Sequence, residues 1–145
     1  MNIFTGIFLL GVIGLGESLY LVTTRLRHEK PVCIAGESCH IVLRSKYSRL
    51  FGFAHNDILG VLFYICTLIL SILILTATGP VSLWINGLSI AVLLGAVMSV
   101  ILTFIQWRIL KNWCFWCLLS AATNWLMAIL LLLHVLFPSF LSPSL

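Results

Sequence analysis

The residues best suited to chemistry in this 145-residue sequence are its five cysteines. Four of them form two close pairs. One is Cys33-Ile-Ala-Gly-Glu-Ser-Cys39, with Gly36 free to turn the chain between the sulfurs; the other is Cys114-Phe-Trp-Cys117. Positions i and i+3 share a helix face, so Cys114 and Cys117 can approach each other on a helix. Asn112 is the expected N-cap of that helix. Unpaired N–H groups and the dipole at a helix N-terminus favour a thiolate. A C-x-x-C pair there is a redox arrangement, with the lowered thiol pKa that disulfide exchange needs. Two other uses of the four sulfurs stay open: a structural zinc site and two structural disulfides. Haem attachment would need His after the second cysteine, where Leu118 stands. Cys66, among apolar neighbours, reads as packing.

The elements that must position these pairs follow from composition. The chain is 61% hydrophobic and 8% charged, against about 25% charged in an ordinary soluble domain. That excludes a stand-alone water-soluble domain and a disordered chain. Four apolar windows, at about 3–26, 58–77, 83–106 and 114–137, are each long enough to cross a hydrocarbon core of about 30 Å at about 1.5 Å per residue. Helix is the expected form, because an open strand would leave backbone groups unpaired in lipid. The expected fold is an all-α membrane protein. It is a four-transmembrane-helix bundle, a single integral membrane domain over 1–145, with a long cysteine-containing loop at about 27–57 between helices 1 and 2. The first window lacks a basic n-region and an A-x-A-like site, so it reads as a permanent helix and not as a signal peptide. Thr78-Gly79-Pro80 is a tight turn signal, and 107–113 is a short basic link. Only the 27–57 loop is long enough for structure of its own, and such loops are usually functional.

All eight Lys and Arg lie in or beside that loop (Arg25, Arg27, Lys30, Arg44, Lys46, Arg49) or the short link (Arg108, Lys111). With four spans, these two segments share one side of the membrane, and both cysteine pairs lie with them. In a soluble protein a net charge of +4 would raise nucleic acid as a partner. Here the basic residues flank apolar spans, so lipid head groups are the expected contact and nucleic acid is not. The positive-inside rule puts the loop in the cytoplasm, whereas disulfides persist in oxidising compartments. Three readings follow: a long loop translocated despite its charge, an inverted protein making disulfides in a cytoplasm, or a basic outer face for an acidic partner. The charge count favours the cytoplasmic side.

The order of the loop cysteines, Ser45 six residues after Cys39, then Asn56, Gly60, Tyr64 and finally Cys114-x-x-Cys117 resembles the vitamin K epoxide reductase family. Its prokaryotic members are DsbB-like disulfide-forming enzymes. Ser18-Leu19-Tyr20 late in the first span also resembles the family, and the likeness covers nearly the whole chain. It implies a four-helix bundle enclosing a quinone, ubiquinone or menaquinone, near the Cys114-x-x-Cys117 end. By position, Cys117 would react with the quinone and Cys114 would exchange with Cys39. Cys33 would take electrons from a thioredoxin-like or DsbA-like protein. Asn56 would hydrogen-bond a quinone carbonyl, and Ser45 would support the loop. The family's vitamin K reductases carry Tyr four residues after the second C-x-x-C cysteine, where this chain has Ala121. One carbonyl contact is therefore missing, and whether vitamin K epoxide is a substrate stays open. Many prokaryotic relatives carry a fused thioredoxin-like domain; here the redox partner is expected in trans.

The chemistry stands beside the resemblance. A quinone dissolves in lipid and a protein dithiol does not, so an enzyme joining them needs one redox pair at the membrane boundary and one that reaches water. The alternative is a non-catalytic membrane bundle with a structural or metal-binding four-cysteine cluster. Other side chains keep two readings each. Asn56 is a quinone ligand or a helix cap, since an unpaired amide is expensive there. Glu17, acidic inside the first span, is a buried hydrogen-bonding group or a proton relay. Phe115, Trp116 and Trp113 line an apolar quinone pocket or form an interfacial aromatic belt. His40 and His55 are proton donors or ordinary loop histidines, and His134 is interfacial.

Overall fold

The computed structural model describes residues 2–34, 38–50 and 52–138, so Gly36 lies outside the described residues. Four long helices form the bundle: α1 (Ile3–Leu26), α3 (Asn56–Leu75), α4 (Val81–Phe104) and α5 (Phe115–Leu136). The loop between the first two carries a short helix α2 (Ser38–Arg44), a 3-10 turn (Lys46–Ser48) and a two-stranded antiparallel ribbon. In the ribbon, β1 (Arg49–Leu50) pairs with β2 (Ala54–His55), with Arg49 opposite His55. The protein is thus an all-α membrane bundle, as its hydropathy requires.

Helix α1 packs chiefly on α3 and then α5, while α4 packs on α5 and α3. The core runs through Ile7, Tyr64, Leu88, Val92 and Met127, all fully buried. Outward-facing Leu9, Leu62, Leu93, Val97 and Leu126 are exposed, as an apolar surface in lipid should be. Lipid tails are as apolar as leucine, so close packing and interhelical hydrogen bonds hold such a bundle together. Gly14 shows the packing: a Cβ there would overlap the Tyr64 ring. The Tyr64 hydroxyl lies 2.9 Å from Ser120 Oγ, joining α3 to α5, and Asn124 Nδ2 donates to Ser99 Oγ at 3.2 Å, joining α5 to α4.

The third span differs from its sequence window. Helix α4 continues into a π turn (Ile105–Leu110) through most of the stretch read as a link. The connection shrinks to a few residues, with Lys111 in the left-handed region (φ 51°). At the other end, Ala77 (φ 50°) and Gly79 (φ 73°) make the tight turn before Pro80, closed by Trp84 Nε1 donating to the Thr78 carbonyl at 2.8 Å.

Candidate functional site

Both cysteine pairs lie at the loop end of the bundle. Cys33 and Cys39 form a disulfide, with Cα atoms 6.2 Å apart. Cys39 lies in the first turn of α2 and is buried. Cys39, Val42 and Cys114 make one buried cluster, and Cys33, Leu110, Phe115, Trp116 and Cys117 pack against it. The loop couple and the C-x-x-C couple therefore share one packed environment. The disulfide takes two of the four sulfurs out of the thiolate form a zinc site needs. Among the described residues, no group of three or more His, Cys, Asp or Glu is placed to hold a metal.

Cys114 itself caps α5. Its Sγ accepts from the Cys117 backbone N–H at 3.4 Å, and its own N–H donates to Gln106 Oε1 at 3.0 Å. Asn112, the residue expected to cap, instead donates to the Leu110 carbonyl at 2.7 Å. It stands too early in the chain, because the cap falls at the first cysteine. The Cys117 side chain hydrogen-bonding to Cys114 holds the Cys114 thiol below its ordinary pKa. Burial opposes this, and the backbone N–H groups of Cys117 and Trp116 add to it. A thiol at a helix N-terminus with this support is a competent partner in disulfide exchange. Gln106 was missed in the sequence; a π turn of the kind often found at functional sites presents its buried carboxamide to Cys114.

Beneath the loop lies a cavity of about 250 Å³. Its wall includes Cys117, Asn56, Ser45, Ser120, Ala121 and Gln106, with Leu21, Val42, Leu102 and Ile105 as apolar surface. Of the four paired cysteines, Cys117 is the one in that wall. Asn56 is the first residue of α3, and its Nδ2 donates to the Tyr47 carbonyl at 3.0 Å. The cap position belongs to His55. Ser45 Oγ donates to the Val42 carbonyl at 2.8 Å, tying down the end of α2. Arg25 and Asp57 pair at 2.7 Å across the loop's two ends. Arg25 is in the last turn of α1 and Asp57 in the first turn of α3, where each charge suits its helix dipole. Sequence reasoning missed this pair, although two opposite charges at the ends of one loop were a usable signal.

Phe115 and Trp116, expected as pocket-lining aromatics, are not among the cavity's lining residues. Trp116 stacks on Tyr20 with ring centroids 4.5 Å apart, and its Nε1 donates to the Val32 carbonyl at 2.7 Å. The Val32 N–H donates to the Tyr20 hydroxyl at 3.0 Å. The two rings clamp the residue next to Cys33. Phe115 packs edge-on against Trp116. His40 and His55 face the cavity, and His55 Nε2 also accepts from Arg49 Nε at 3.3 Å. His134 stacks edge-on with Phe4 at the far end. Cys66 is exposed on the outer face of α3. Glu17 is buried, with its carboxylate 3.4 Å from Thr123 Oγ1.

A membrane bundle that gathers a disulfide and a second cysteine pair at one end, over a cavity, is the architecture of an integral membrane oxidoreductase. The model of the Vitamin K epoxide reductase family matches the chain over residues 6–132, and the chain belongs to that family. A search of the curated proteins finds no match.

Proposed function

We propose that the protein oxidises the dithiol of a thioredoxin-like or DsbA-like partner and passes the electrons through Cys33/Cys39 and Cys114/Cys117 to a quinone, generating protein disulfides. The observation that carries this reading is the shared burial of Cys39 and Cys114, with Cys117 in the cavity wall. A partner thiolate attacks Cys33 Sγ, forming a mixed disulfide and releasing Cys39. A second partner thiol resolves that bond, so the partner leaves oxidised and both loop sulfurs are reduced. Cys39 then attacks Cys114 Sγ in the Cys114–Cys117 disulfide, and Cys117 leaves as a thiolate facing the cavity. Cys33 closes back on Cys39, leaving Cys114 and Cys117 reduced. The Cys114 pKa depression makes it a good leaving sulfur in that last step.

The cavity residues fit a quinone: apolar side chains for the ring, with Asn56 and Ser120 as polar groups for its carbonyls. Arg25 brings a further buried donor, as its Nη2 has no hydrogen-bond partner among the described residues. When bound, the quinone supplies the two-electron, two-proton acceptor that returns Cys114 and Cys117 to the disulfide. Ser45 and Asn56 hold the loop over the cavity through their bonds to Val42 and Tyr47. The trans partner and the single-domain reading of 1–145 are part of the same proposal.

Anaerobic mixing of the purified protein with a reduced thioredoxin-like protein and ubiquinone or menaquinone tests it. Quinol forms in step with partner oxidation; partner oxidation without quinol refutes the quinone step. By the positive-inside rule, the site end faces the cytoplasm, because the eight Lys and Arg gather there. An impermeant thiol reagent on intact cells then leaves Ser48→Cys unlabelled; labelling reverses the orientation.

A further inference from the structure

Glu17 lies nine residues from the loop end of α1, about 13 Å along the helix. Such a depth is costly for an ionisable side chain unless it has a use. Glu17 is 6% exposed, and its Oε2 has no hydrogen-bond partner among the described residues. Its Oε1 is 3.4 Å from Thr123 Oγ1, which also lies 2.9 Å from the Leu119 carbonyl. A hydroxyl has one proton, so Thr123 can donate it to the Leu119 carbonyl or to Glu17 but not fully to both. While that proton serves Leu119, the Thr123 oxygen is free to accept, and a proton on the Glu17 carboxyl group would complete the pair.

One turn toward the loop on α5, Ser120 Oγ lies 2.9 Å from the Tyr64 hydroxyl. Ser120 stands in the cavity wall with Cys117, and Ser18, next to Glu17 on α1, stands there too. On the aqueous side the wall holds His28, His40, His55 and Asp57. Glu17 is buried within the membrane-spanning helix α1.

We propose that Glu17 is an intramembrane proton reserve for the cavity. It holds a proton on its carboxyl group and releases it to the cavity, whose wall includes Ser18 and Ser120. It is recharged by a proton given up as the Cys114/Cys117 dithiol closes to a disulfide. The balance is complete: two thiols lose two electrons and two protons, the acceptor gains both, and Glu17 ends as it began. The inference rests on the quinone reading above and adds the route of one proton.

Two measurements test it. Infrared spectra of the purified protein at neutral pH should show a neutral-carboxyl band that Glu17→Gln removes; an unchanged band overturns the proposal. In single turnovers of the Cys114/Cys117 dithiol with ubiquinone, Glu17→Gln should slow quinol formation by about 100-fold, and Glu17→Asp should restore part of it. Reduction of the loop disulfide by the partner should stay unchanged, which a folding defect would not allow. If wild type forms quinol and Glu17→Gln matches it, the proton route falls alone. If wild type forms none, the quinone reading falls with it.

Discussion

The two ends of the bundle are built differently. At the loop end stand the cysteine pairs, the Arg25–Asp57 ion pair, the Tyr20–Trp116 clamp and the basic residues. At the turn end, Ile3, Phe4, Ile74 and Leu131 continue an apolar core, closed by the Trp84 bond to Thr78. The turn end joins helices by packing; the loop end joins them by directional bonds that also aim sulfur atoms. Stability and chemistry should therefore separate when each end is altered.

The largest effects should be reciprocal. Cys114→Ala should abolish turnover while thermal unfolding of the bundle changes little. Leu88→Ala, fully buried between helices, should cost about 2 kcal/mol from the cavity it leaves. Its transfer contribution is small because the surrounding lipid is equally apolar. Turnover per folded molecule should remain. A Leu88→Ala protein that is stable but inactive would break the comparison.

A smaller effect sharpens it. Trp116→Phe keeps a ring against Tyr20 and loses the bond to Val32. Electron passage from the loop couple to Cys114 should slow by about tenfold, roughly the 1.4 kcal/mol of one good hydrogen bond. Quinol formation by protein already reduced at Cys114 and Cys117 should not change. Stopped-flow on the two half-reactions reads both.

The smallest expected change is a shift in pH. The Cys114 pKa is lowered, first by its bond with Cys117. Its thiolate is therefore populated at lower pH than that of an ordinary thiol, and alkylation by a small reagent should rise at correspondingly lower pH. Cys117→Ala removes the largest cause, so the alkylation midpoint of Cys114 should move up. A midpoint that stays put would assign the depression to the helix N-terminus alone.

Much of this was legible in the sequence. The four spans follow from hydropathy, and the window for α1 has the same limits as the helix. The cysteine pairs were visible because their spacing is local and charge placed both at one end. What escaped depends on contacts across the fold. The cap on α5 fell to Cys114 and not Asn112, because the π turn carries α4 to Leu110 and brings Gln106 to the Cys114 N–H. Trp116 left the cavity for Val32, a residue 84 positions away. No period or motif in one sequence encodes such pairings.

The central claim is that Cys39 and Cys114 can meet. The most direct test is the Cys33→Ser, Cys117→Ser double variant, mildly oxidised in membranes and mapped by mass spectrometry. The account predicts an intramolecular Cys39–Cys114 disulfide in high yield. Two persistent free thiols in a folded bundle would contradict it.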